Sequence, residues 1–166
     1  MSEGSVGGQD SRRAKEPRTP GERDAAGADT YDLYQRGLDL LGRGSAAAAA
    51  QLLERAAAAE PQSRSVLEAL ARAQFDAGHY AAAAGNFRRI VEASPSDDYA
   101  QFGLGLSLAR TGDPSAAAEH LALAAAMQPD RRHYTDALQS VRATLRARSQ
   151  AQNPGAESPE RKIRGV

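Results

Sequence analysis

Three prolines, Pro61, Pro95 and Pro129, stand 34 residues apart along the chain, and a fixed period of that length restricts the fold more than any other feature of the sequence. Each follows an Ala-rich run with the composition of a helix and precedes a polar pair: Gln62-Ser63, Ser96-Asp97 and Asp130-Arg131. A proline there stops one helix and sets the loop to the next. Halfway through each period comes a second breaker, Gly44-Ser45, Gly78-His79 and Gly112-Asp113-Pro114. These glycines suit the left-handed conformation that ends a helix, while Ser45 and Asp113 suit the cap of the next, with Pro114 in its first turn. The spacing predicts helices near 30–43, 45–59, 64–77, 79–93, 98–111 and 114–127, then a seventh from 131 to 148 capped by Asp130.

Aligned on the period, small residues fall where paired helices must approach closely. The eighth position of each repeat holds Gly37, Ala71 and Gly105, and the twentieth holds Ala49, Ala83 and Ala117. The twenty-fourth carries Leu53, Phe87 or Leu121, and the twenty-seventh Ala56, Ile90 or Ala124. With the prolines at position thirty-two, these columns resemble the tetratricopeptide repeat over roughly residues 30–148. The resemblance implies an all-α fold: a right-handed superhelical solenoid of three helix-turn-helix repeats, 30–63, 64–97 and 98–131, followed by a capping helix. The sequence departs from the family at the fourth position, where Leu33, Leu67 and Gln101 replace an aromatic, and at Gln74, the eleventh position of the middle repeat.

A hairpin of this kind cannot bury its apolar face alone, so neighbours stack. The first helix of a repeat leans on its predecessor through the third, seventh, tenth and fourteenth positions, which share one helical face. That stripe reads Val66, Leu70, Ala73, Ala77 in the second repeat, Ala100, Leu104, Ser107, Thr111 in the third, and Tyr134, Leu138, Val141, Leu145 in the closing helix. In the first repeat it reads Asp32, Arg36, Asp39, Arg43. This ladder of alternating charge is fit for water, so the array is expected to start there. Outside the array, residues 1–28 and 150–166 are rich in Gly, Pro and charge with few large apolar residues, and are expected to be disordered tails around a folded unit at 29–149.

The chain balances 21 Lys and Arg against 21 Asp and Glu, so no overall field gathers a polyanion or an anionic membrane. Locally, residues 29–129 hold eight basic and twelve acidic side chains, and 130–149 hold five and two. Nucleic-acid binding through Arg131, Arg132, Arg142, Arg146 and Arg148 is therefore disfavoured by the acidic array beside them. There is no cysteine, which suits a reducing compartment, and neither a signal-like nor a membrane-spanning apolar run occurs. A cytoplasmic protein is expected. The preference for Arg over Lys, which occurs only at Lys15 and Lys162, together with abundant Ala, fits a GC-rich bacterial genome.

Chemistry-bearing motifs are absent. His79, His120 and His133 lie on different repeats without a carboxylate cluster at ligand spacing, and no phosphate loop or nucleophile elbow occurs. The expectation is a protein-interaction scaffold without enzymatic activity, cofactor or metal. The resemblance places the partner-binding wall at the second, fifth, ninth and twelfth positions: Tyr31, Tyr34, Leu38 and Leu41, then Ser65, Glu68, Arg72 and Phe75, then Tyr99, Phe102, Leu106 and Ala109. Aromatics interrupted by the Glu68 and Arg72 pair form a candidate site for an apolar or amphipathic peptide of another protein. Two alternatives stay open. Some rings, Phe75 foremost, could turn inward between paired helices, and the same wall could join two copies or serve a constitutive complex. The clamp by which some family members grip a chaperone's acidic tail needs several Lys, Asn and Arg on this wall, of which only Arg72 is present.

Overall fold

The structure, a computed structural model, describes residues 20–152, with side chains described from residue 27 onward. Seven helices follow in order: α1 Pro20–Gly42, α2 Ala46–Ala59, α3 Arg64–Asp76, α4 Tyr80–Ala93, α5 Asp98–Arg110, α6 Pro114–Met127 and α7 Arg132–Gln152. Each packs on the next, and α1 also touches α3, α3 touches α5, and α5 touches α7. The result is the expected all-α, right-handed solenoid of three hairpins and a closing helix.

The period reappears bond by bond. Ser63, Asp97 and Arg131 each donate a backbone N–H to the carbonyl three residues back, on Glu60, Ser94 and Gln128, at 3.1 Å. Each of these turns carries its proline in the second place, where a fixed φ costs nothing. At the intervening breaks Gly44, Gly78 and Gly112 take φ of 77°, 83° and 94°. There Ser45, His79 and Asp113 donate back to Leu40, Gln74 and Leu108 at 2.8, 2.7 and 3.0 Å, so the last carbonyls of each helix find partners. Asp113 caps α6 through Ala116 N at 3.0 Å. Ser45 occupies the cap position of α2 but makes no side-chain cap bond. Helix α7 starts at Arg132, so Arg131 rather than Asp130 flanks it.

Two expected boundaries are corrected. Helix α1 begins at Pro20, ten residues ahead of the position the period predicts, and α7 runs on to Gln152. Composition places 20–28 in a tail, yet extending an existing helix adds a hydrogen bond per residue with no new nucleation cost. Between Glu22 and Asp29 only Gly27 opposes it, by about 1 kcal/mol, and Pro20 suits a first turn. Residues 1–19 and 153–166 of the expected tails lie outside the described residues.

The burial stripe follows the sequence at its third, seventh and tenth positions but not at its fourteenth, where Thr111 is exposed and Ala77 and Leu145 are only half-buried; Ala77 and Thr111 fall on the C-caps of α3 and α5, where the packed face ends. Val66, Leu70, Ala73, Ala100, Leu104, Ser107, Tyr134, Leu138 and Val141 are buried between successive hairpins, whereas Asp32, Arg36, Asp39 and Arg43 face solvent and pair with one another at 3.4 and 3.8 Å. Inside the hairpins, a Cβ on Gly37 would lie 2.6 Å from Leu53, and one on Gly105 2.7 Å from Leu121. Gly103 is packed harder still, across the seam between repeats: its Cβ would fall 2.4 Å from the Phe87 ring. Phe87 is larger than Leu53 and Leu121 at the equivalent positions, and the glycine makes the room.

The two glutamines that break the family pattern are buried and paired. Gln74 donates to Glu54 at 3.4 Å and accepts from Asn86 Nδ2 at 2.8 Å. Gln101 donates to the Pro95 carbonyl at 2.9 Å, and its Oε1 lies 2.7 Å from His120 Nδ1, which donates to it in that tautomer. Burial lowers the pKa of His120. Hydrogen bonds thus stand where the family puts rings, and among the described residues no buried side-chain nitrogen or oxygen lacks a partner.

The closing helix is fixed by Tyr134, whose side chain is fully buried. Its hydroxyl donates to Asp98 Oδ2 at 2.8 Å and accepts from Arg131 Nη1 at 3.0 Å, while its ring stacks on Phe102 with centroids 4.4 Å apart. Desolvation, then the bond to Asp98, pushes its pKa up to about 12.

Two predictions follow from this packing. Gly103→Ala should destabilise the chain by roughly 1–3 kcal/mol through overpacking on Phe87; Gly85→Ala, in the interior of α4 with open space around its Cβ, should instead stabilise by about 0.5–1 kcal/mol. Urea denaturation reads both. Because the folded state favours neutral Tyr134, its contribution is complete below pH 10 and lost as pH rises from 10 through about 12. The stability gap between the native chain and Tyr134→Phe should therefore narrow across that window.

Candidate functional site

The first helices of the hairpins, α1, α3 and α5, lie side by side, and their second, fifth, ninth and twelfth positions form one wall. Three hollows adjoin along it. The first, about 200 Å³, lies beside Thr30, Tyr31, Tyr34 and Val66. The second, about 320 Å³, is lined by Tyr34, Leu38, Glu68, Arg72 and Tyr99 among others. The third, about 170 Å³, is lined by Arg72, Phe75, Tyr99, Phe102 and Leu106 with Phe87 and Gly103. Tyr34 and Ser65 are common to the first two, and Arg72 and Tyr99 to the last two, so the hollows form one furrow across three repeats. Of the twelve wall positions read from the sequence, eleven line it, Tyr31, Tyr34, Leu38, Leu41, Ser65, Glu68, Arg72, Phe75, Tyr99, Phe102 and Leu106, while Ala109 lines none of the three hollows.

Burial along the furrow is graded. Tyr31 is 64% exposed, and Arg72 is exposed, while Tyr34, Leu38, Glu68, Phe75, Tyr99, Phe102 and Leu106 are half-buried. Apart from Tyr31, the rings are neither lost between helices nor fully exposed. Phe75 meets Tyr80 edge-on at 5.1 Å, Tyr99 meets Phe87 edge-on at 6.1 Å, and Phe102 is stacked on Tyr134 with the edge of His133 at 5.3 Å. Desolvation raises the pKa of the Tyr99 hydroxyl.

The polar side chains are paired differently from the spacing of Glu68 and Arg72. Glu68 binds Arg64 at 3.2 Å, and Arg72 lies 3.8 Å from Asp76, so four charges alternate along α3. Such i,i+4 pairs on a half-exposed face contribute only a few tenths of a kcal/mol each. Arg64 is held chiefly by nearly buried Asp97, through Nε at 2.6 Å and through Nη2. Desolvation raises the pKa of Glu68 against the opposing pull of Arg64.

Asp97 is the site residue that reading by repeat position misses. It caps α5 by accepting from Ala100 N at 3.0 Å while holding Arg64 at the groove edge. An Asp three residues before Ala100, after a helix-stopping proline, is a capping signal that could have found it. Its bond to Arg64, 33 residues away, has no local signature. The three histidines remain apart: His79 precedes α4, His120 pairs with Gln101, and His133 sits against Phe102.

Solved structures with this architecture are numerous. The C-terminal TPR-containing domain of a Plasmodium falciparum FK506-binding protein superposes with a TM-score of 0.71 at 14% identity, covering 77% of this chain and 95% of that one. The first TPR of Spaghetti (RPAP3) bound to the HSP90 peptide SRMEEVD gives 0.66 at 17%, covering 71% and 94%. The Yersinia enterocolitica type III secretion translocator chaperone SycD gives 0.63 at 13%, covering 71% and 95%. At these identities the likeness is one of fold. No curated protein matches the sequence. The sequence model of the tetratricopeptide repeat matches residues 34–98 and 68–131, overlapping spans that together take in more than half of the chain. Period, seam and sequence model therefore agree that the chain belongs to the tetratricopeptide repeat family.

Proposed function

We propose that the chain is a protein-interaction scaffold, not an enzyme, and that the furrow across α1, α3 and α5 receives an extended or helical segment of a partner protein. The observation that carries this reading is the continuity of the three hollows, with half-exposed rings and aliphatic side chains contributed by every repeat. A surface that is partly apolar, rigidly backed and rimmed by charge is the kind on which a few anchors supply most of the binding energy. No described helix is long and apolar enough to cross a membrane, and the lack of cysteine suits the cytoplasm.

The RPAP3 domain holds the HSP90 peptide SRMEEVD, which is acidic near its end. On the present wall the cations are Arg64, committed to Asp97, and Arg72, drawn toward Asp76. They do not make a clamp for an acidic tail, so a different partner chemistry is implied.

Phe102 is braced on buried Tyr134, so truncating it would lower stability as well as binding. The informative variant is Tyr31→Ala with Arg72→Ala, both exposed. In affinity purification from the native cell, the double variant should recover its partner at least about tenfold less well than the native chain, equivalent to about 1.4 kcal/mol. Its melting temperature should shift by no more than about 4 °C. Undiminished recovery would refute the groove. Light scattering of the purified protein decides the competing occupant: a monomer at high concentration removes a second copy from consideration.

A further inference from the structure

The third hollow differs from the others in how its walls are held. Phe75, Tyr99 and Phe102 each rest against another aromatic ring, on Tyr80, Phe87 and Tyr134 respectively. Tyr80 is covered in turn by the Arg110 guanidinium at 5.5 Å, and Tyr134 is fixed by Asp98 and Arg131. Phe87 forms the floor, 2% exposed, and can lie there because residue 103 has no side chain to strike it. A pocket whose walls are already immobilised loses little conformational entropy on filling. Its volume of about 170 Å³ is close to the roughly 150 Å³ apolar cavity known to hold a benzene molecule. It is the size of one large apolar side chain.

The charge around that pocket points to what should flank the anchor. Glu68 and Asp76 lie two helical turns apart on α3, about 12 Å along the axis, both partly exposed and with Arg72 between them. Arg64, the remaining cation, is engaged by Asp97. Glu68 shares that guanidinium with Asp97, lying 3.2 Å from it, so two carboxylates have one cation between them and a second cation arriving from outside gains by pairing with Glu68.

We infer that the groove recognises a basic amphipathic segment of a partner protein: one Phe, Leu, Met or Trp inserts over the Phe87 and Gly103 floor, and neighbouring Lys or Arg side chains meet Asp76 and Glu68. The inference rests on the groove reading given above and adds the chemistry of the occupant.

A random dodecapeptide library displayed on phage and selected on the full chain tests it. Selected peptides should share one large apolar residue with a Lys or Arg within a helical turn. Synthetic copies should shift the amide resonances of Gly103 and Leu106 and lose affinity at least about tenfold against Asp76→Lys and against Leu106→Lys. The first substitution reverses a rim charge, and the second puts an ammonium at the pocket. If Leu106→Lys fails to fold, Asp76→Lys and the amide shifts decide alone. Peptides that shift groove amides but are acidic, or carry no large apolar residue, overturn this inference and leave the groove standing. An empty selection, or peptides that perturb only α2, α4 and α6, overturns both.

Discussion

Everything in this molecule depends on a seam of apolar contact between hairpins that are incomplete by themselves. Leu70, Leu104 and Leu138 recur at 34-residue intervals, and each is buried against the preceding repeat. Fully burying a leucine contributes roughly 1.5–3 kcal/mol, but the effect is collective, because each seam exists only while both neighbours are folded. The charged ladder of Asp32, Arg36, Asp39 and Arg43 shows the same face when no hairpin covers it: identical helical positions, opposite chemistry, exposed side chains.

The seam also builds the wall. Stacking sets α1, α3 and α5 side by side, so residues 34 apart in sequence become neighbours in the furrow, and Tyr31, Ser65 and Tyr99 are successive members of one column. Close approach decides its depth. The exchange of a large ring at Phe87 for a missing side chain at Gly103 lowers the floor of the third hollow, and rings behind rings keep its walls in place. Stability and recognition therefore draw on the same residues: Phe87 and Tyr134 belong to the buried core and shape the pocket from behind.

Much of this is legible in the sequence because it repeats. Three prolines and three positive-φ glycines mark helix C-terminal ends to within a residue or two, and the stripe identifies the buried face at its third, seventh and tenth positions, from Val66 to Val141. Local periodicity does not reveal what lies between repeats. The bond from Arg64 to Asp97 and the anchoring of Tyr134 by Asp98 join residues that only the fold brings together. Gln74 and Gln101 look like defects in a pattern of aromatics and prove to be satisfied polar contacts with Asn86 and His120. The early start of α1 escapes for another reason: composition measures how much a segment can bury, and a helix already nucleated extends through residues that bury little.

Native-state hydrogen exchange, resolved by residue, tests the stacking account most directly. Protection should be greatest in α2 to α6, which have neighbours on both sides, and fall toward the ends of α1 and α7. Leu104→Ala should lower the protection of these central helices together. Slowest exchange in α1 or α7, or a response to Leu104→Ala confined to α5, would contradict the claim that the hairpins stand only by leaning on one another.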